Sequence, residues 1–134
     1  MNHLGNIGTS FVLLEHLGFM YLEMFAWAKP LGLKVFNMTP EKAKDTSALA
    51  ANQGLYNGFL SAGLAWGLYL DITGKSTNNK INTTPGSASG NDVICFFLLC
   101  VVTAGAYGAY SVNKRIFKLQ AMPAIITLLF RHFL

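Results

Sequence analysis

From Ser47 to Leu70 the chain reads SALAANQGLYNGFLSAGLAWGLYL, about 24 residues without a charge, long enough to cross a bilayer as one helix. Four polar side chains interrupt it near its start: Asn52, Gln53, Tyr56 and Asn57. An amide is costly in hydrocarbon unless its hydrogen bonds are answered. The segment therefore predicts a helix that turns its polar side toward other helices.

Composition agrees with that environment. Of 134 residues, 52% are hydrophobic and 12% charged, with a mean hydropathy of +0.39. Soluble domains carry about twice that charge. An integral membrane protein of a single domain, residues 1–134, is the expected class. The net charge of +4 is spread over lysines at helix ends and forms no basic stripe, so the bilayer and not nucleic acid is the expected partner. Cys95 and Cys100 lie in an apolar run, about 140° apart on a helix. They read as two small hydrophobes, and no metal site is expected.

Four spans are predicted, at about 5–28, 47–70, 93–112 and 115–134, giving an all-α four-transmembrane-helix bundle. The first contains Glu15, His16 and Glu23. Ala26-Trp27-Ala28 fits a signal-peptide cleavage pattern, but no basic region precedes it and acids interrupt the apolar part, so the span is read as retained. The fourth has Lys118 and Arg131 near its ends, where long side chains snorkel, and Pro123 predicts a kink. Lys29, Lys34, Lys42, Lys44, Lys114, Arg115 and Lys118 lie on one side, against Lys75, Lys80 and Arg131 on the other. That bias puts both termini on the extracytoplasmic side of a multi-pass membrane protein, in the cytoplasmic membrane if the host is bacterial. Residues 73–91 read as a flexible outer loop rich in Ser, Thr, Asn and Gly. Asn37-Met38-Thr39 and Asn82-Thr83-Thr84 match the short glycosylation sequon. Thr39-Pro40-Glu41 predicts a helix start on the cytoplasmic side, with Thr39 as cap.

Placed by depth, polar groups from all four spans come together on the cytoplasmic side, with His16 near the middle of the membrane. His16 and Glu23 are seven steps apart and point nearly the same way. With Asn52, Gln53, Tyr56, Asn57, Tyr107 and Gln120 they are the candidate lining of one polar pocket open to the cytoplasm. Span two also carries a stripe of small residues, including Gly54-x-x-x-Gly58, and span three carries Gly105 and Gly108; these are the candidate helix-packing positions. Plainer readings stand beside these. Glu23 can pair with Lys29 or Lys118, His16 can be a satisfied core histidine, the amides can be interhelical glue, and Tyr107, Tyr110 and Trp27 can be interface aromatics.

Several segments resemble an uncharacterised family of small four-helix membrane proteins, common in bacteria and known only as a domain of unknown function. They are His16-Leu17 through Leu22-Glu23-Met24-Phe25-Ala26-Trp27, Lys29-Pro30, Val35-Phe36, Thr39-Pro40, Leu49 through Leu60, Ala104 through Gly108 and Gln120 through Ala124. The resemblance implies four spans and no particular reaction. A second, architectural similarity is to membrane-associated proteins of eicosanoid and glutathione metabolism, which are four-helix trimers with a glutathione pocket near the cytosolic face. Asn52 and Tyr56 fit the spacing of their second helix, but Ala48 stands where an Arg belongs and Leu55 where an acid belongs. Without the anion-binding Arg, the similarity carries architecture and not glutathione chemistry.

The leading expectation is a binding protein that holds a small amphipathic or lipid-like ligand in this pocket, with a homo-oligomer or a membrane-protein partner compatible with the small stripes. The alternatives are a membrane-embedded enzyme on a lipophilic substrate, with His16 or Glu23 as acid or base, and a proton-coupled transporter using Glu15 or Glu23. The cofactor is open. A haem would need an axial ligand, for which His16 is the placed candidate.

Overall fold

The computed structural model describes residues 2–76 and 87–134. Among these residues the chain is all helix: α1 (His3–Phe25), α2 (Pro30–Phe36), α3 (Pro40–Ser76), α4 (Gly90–Ser111), a π turn (Phe117–Ala121) and α5 (Met122–Phe133). It divides into two compact units, Leu14–Ser61 and Met1–Leu13 with Ala62–Leu134. α1 and α3 each contribute to both.

In the Leu14–Ser61 unit, α1 ends at Phe25 and α2 leaves it at 118°. The predicted first span, 5–28, therefore stops about one turn early. Pro30 sits in the first turn of α2, where its missing N–H leaves no bond unmade. Trp27 secures the bend. Its ring lies 4.6 Å from that of Phe36 and its Nε1 donates to Thr46 Oγ1 at 3.1 Å, so it is a specific contact as well as an aromatic near a helix end. A side chain at Gly32 would run into the Ala26 and Trp27 carbonyls, so only glycine admits this fold-back. α2 closes on Asn37 at φ 50°, a left-handed cap that asparagine tolerates. α3 then starts as the sequence predicts. Lys42 N–H donates to Thr39 Oγ1 at 3.3 Å, and Pro40 opens the helix.

The other unit has the larger apolar core, built from Val12, Leu64, Ile94, Leu98, Val101, Ala121 and Ala124. Among the described residues, α4 is the helix long and apolar enough to span a membrane alone, and α1 with α2 passes that test only as a bent pair. Ser89 caps α4 in a capping box, accepting from Asp92 N–H while Asp92 accepts from Ser89 N–H. The expected outer loop is thus shorter at both ends, since α3 reaches Ser76 and α4 begins at Gly90. The sequon at Asn82 lies outside the described residues.

The predicted fourth span is not one regular helix. Met122 N–H bonds the Phe117 carbonyl in the π turn, and α5 follows with Pro123 in its first turn. Proline cannot bond the carbonyl four residues before it, so the helix widens ahead of it instead of only bending. Gly105 of α4 accepts this wide turn. A Cβ there would lie 2.8 Å from the Ala121 nitrogen. Gly108 does the same for Ile116, whose Cγ2 would sit 2.9 Å from an added Cβ.

Candidate functional site

Two polar constellations are built into the fold, one in each unit. The first joins α1 to α3. Asn57 Nδ2 donates to Glu23 Oε2 at 2.7 Å, and Asn57 is buried. The approach is close because α3 presents Gly54 and Gly58 to α1. A Cβ on Gly54 would lie 2.7 Å from Met24 Cγ and 3.0 Å from Glu23 Cβ, and one on Gly58 would lie 2.8 Å from Met20 Sδ. The glycine pair is thus the seat on which Glu23 and Asn57 meet. His16 is buried, with its ring edge-on to Phe19 at a centroid distance of 5.4 Å. Glu15, next to it, has a buried Oε2 with no hydrogen-bond partner among the described residues.

The remaining predicted lining residues are placed differently. Asn52, Gln53 and Tyr56 are exposed on α3. Gln53 lies one turn before Asn57, on the same side of the helix, whereas Asn52 and Tyr56 are about 140° and 100° around from it. Tyr107 is 70% exposed and Gln120 is half-buried, and both belong to the other unit. Of the eight positions, the structure therefore joins Glu23 and Asn57 by a direct hydrogen bond. Cys95 and Cys100 are free thiols.

The second constellation was not anticipated as a site. Arg131, expected to snorkel, is instead buried and engaged on three sides. Nη2 pairs with Asp71 Oδ2 at 3.3 Å, Nε donates to Asn91 Oδ1 at 2.8 Å, and Nη1 donates to Asn6 Oδ1 at 2.8 Å and Thr9 Oγ1 at 3.4 Å. One guanidinium thus ties the start of α1, the end of α3, the start of α4 and the end of α5. Asn2 Nδ2 reinforces it by donating to the Phe130 carbonyl at 2.8 Å, which brings both termini to one end of this unit. The readable signal was a lone acid and a lone base at the same end of two apolar segments. In the sequence Arg131 reads as a snorkelling side chain and a topology charge. A shallow groove of about 300 Å³ lies beside the clasp, lined by Asn91, Cys95, Leu128, Leu129 and Phe133 among others.

With this geometry in place, relatives can be compared. The family described as "Protein of unknown function (DUF1304)" matches residues 10–131. The chain belongs to the DUF1304 family. The DUF1304 match takes in Glu23, Asn57, Asp71, Asn91 and Arg131, and leaves Asn6 and Thr9 outside it. The chain is also similar to the uncharacterized protein YpaA of Lactococcus lactis subsp. lactis (strain IL1403), 29% identical over 120 residues, covering 88% of this chain and 87% of that protein. No solved structure matches.

Proposed function

We propose that this DUF1304 protein is a multi-pass membrane protein that binds a small amphipathic molecule, holding the molecule's polar end at the Glu23–Asn57 pair and its apolar part along α1 and α3. The observation that carries the reading is the pair itself, a carboxylate and an amide bonded at 2.7 Å within a largely apolar surface. Gln53 adds an exposed amide one turn away. A carboxylate answered by a neutral amide keeps its affinity for a hydroxyl, amine or water, which a saturated ion pair does not.

The surface supports the membrane part. Ile7, Phe11, Leu14, Leu49, Phe59, Phe96, Leu99 and Phe133 are each between 56% and 73% exposed, while His16, Asn57, Asp71 and Arg131 are buried. Large exposed apolar patches on a soluble monomer invite aggregation; facing acyl chains they are at rest. Only 28% of the most apolar stretch of α4 is covered by protein, unlike the core helix of a soluble fold. Termini that meet at one end fit an even number of passes. The loop lysines favour an extracytoplasmic position for that end.

The test is untargeted mass spectrometry of the protein purified in mild detergent. A small molecule that co-purifies reproducibly and is lost in Glu23→Gln and Asn57→Leu is the expected result. An equally empty wild type and variants overturn it. One observation favours a second reading, a proton-coupled transporter: the unpartnered Oε2 of Glu15. Unchanged pH-dependent flux in Glu15→Gln vesicles removes that reading.

A further inference from the structure

We propose that the groove between α4 and α5, beside the Arg131 clasp, seats one ester-linked acyl chain of a bilayer lipid. Asn91 and His132 donate to the ester carbonyl, and the chain runs inward over Cys95 and Leu128. The inference rests on the membrane placement proposed above and not on the ligand at Glu23. Both walls of the groove belong to the unit that holds the clasp. Asn91 and Cys95 are four residues apart on α4, and Leu128 and His132 are four apart on α5, so each pair shares one side of its helix. The Arg131–Asn91 bond sets the start of α4 beside the end of α5, and Gly105 meets Ala121 at the far end, so the two helices are antiparallel. Asn91 therefore stands level with His132, and Cys95 with Leu128. The groove is polar at its outer end and apolar one turn, about 6 Å, further in.

That gradient matches the depth at which it lies. α4 has 22 residues and is about 33 Å long, against about 30 Å of hydrocarbon in a bilayer. Its second residue, Asn91, stands at the boundary between headgroups and acyl chains, the level of the lipid ester carbonyls. Arg131 Nε occupies Asn91 Oδ1, so this exposed amide offers the hydrogens on its Nδ2. His132, also exposed, adds an imidazole N–H. Two donors above an apolar trough suit a group that only accepts and that carries an apolar chain.

The charge balance selects a neutral acceptor. Asp71 matches the Arg131 guanidinium at 3.3 Å, and Asp92 adds a carboxylate beside Asn91. No fixed positive charge is left over for the carboxylate of a free fatty acid, whereas an ester carbonyl asks only for donors. The guanidinium stays committed to the clasp, and the lipid reads the two donors next to it. The volume of about 300 Å³ admits one acyl chain and excludes a second helix, about 10 Å across.

The experiment is native mass spectrometry of protein delipidated in mild detergent and titrated with one lipid at a time. Each chain should retain one ester-linked phosphatidylcholine, the ether-linked analogue should bind about two- to tenfold more weakly, and oleate should not compete. Leu128→Trp fills the groove and should abolish retention, whereas Phe96→Trp, on the exposed side of α4 (61%), should leave it intact. The native Cys95 gives a second reading without disturbing the groove. In Cys100→Ala protein the ester lipid should slow its alkylation by N-ethylmaleimide, and should not slow that of Cys95→Ala/Cys100→Ala/Phe96→Cys. Glu23→Gln should change neither result. Equal retention in Leu128→Trp, equal binding of the ether lipid or of oleate, or no protection of Cys95 overturns the site, and so does loss of the lipid in Glu23→Gln. Protein that floats with phosphatidylcholine vesicles yet retains no lipid overturns the site alone. Protein left behind when vesicles float overturns the membrane reading and the site with it.

Discussion

In the Leu14–Ser61 unit a carboxylate is met by a neutral amide, and about two turns earlier on α1 the Glu15 Oε2 is buried without a partner among the described residues. In the other unit a guanidinium is met by a carboxylate and three neutral oxygens contributed by helix ends. The first is a single amide–carboxylate bond, and the second a guanidinium held by four groups. The Arg131 network spends its donors on holding helices together, so it has little left for a ligand. The Glu23 network leaves hydrogen-bonding capacity free beside an exposed face. Under the function proposed above, it is saturation and not burial that distinguishes the two networks, since both are buried in part.

The largest expected effect lies in the fastening. Asp71→Leu strands a buried guanidinium and should cost about 3–5 kcal/mol of stability, read by denaturant unfolding in micelles. The double variant Asp71→Leu/Arg131→Met should recover most of that loss, because a well-packed apolar pair removes the buried charge along with its partner. If single and double variants unfold alike, the clasp is not a coupled unit and the comparison fails. Next comes the seat of the other network. Gly54→Ala should cost about 1–3 kcal/mol, because Glu23 Cβ and Met24 both block the new methyl. Gly58→Ala should cost less, since it meets only the flexible Met20 thioether.

Asn57→Leu sharpens the contrast. It should lower stability by only about 1–3 kcal/mol, as expected for one lost hydrogen bond to a carboxylate, while abolishing ligand retention. A loss as large as that of Asp71→Leu with ligand retained would make Glu23–Asn57 a second fastening. Asn37→Ala should cost about 1 kcal/mol because it forces alanine into a left-handed cap, and Asn37→Gly should restore it. The smallest effect is expected at Tyr107, which is 70% exposed in the unit that holds the clasp. Tyr107→Phe should shift stability by less than about 0.5 kcal/mol and leave ligand retention unchanged.

Several of these features were readable before any coordinates. Thr39-Pro40 announced the start of α3, and Gly54-x-x-x-Gly58 announced a close approach, because caps and small-residue stripes are local patterns of three or four positions. The Ser89-x-x-Asp92 capping box was equally legible and was hidden only by reading residues 73–91 as loop. The π turn was half legible: Pro123 signalled a break, but whether a helix kinks or widens depends on what packs beside it, here Gly105. Depth in the membrane groups Asn52, Gln53, Tyr56 and Asn57 together. It could not divide them, because helical angle tells which residues share a side and not which side meets a neighbour.

The sequence by itself determined that this chain is all helix, that α3 begins at Thr39-Pro40, and that uncharged amides in an apolar segment must be answered by something. Those conclusions follow from helix propensity, capping and the cost of unmet hydrogen bonds, which act over a few residues. The tertiary structure decided that Asn57 turns to Glu23, that Asn52 and Tyr56 turn away, and that Arg131 points inward to bind three other helix ends. Those choices join residues as much as 125 positions apart, Asn6 and Arg131 among them, and only the packing of whole helices sets which of them come within reach.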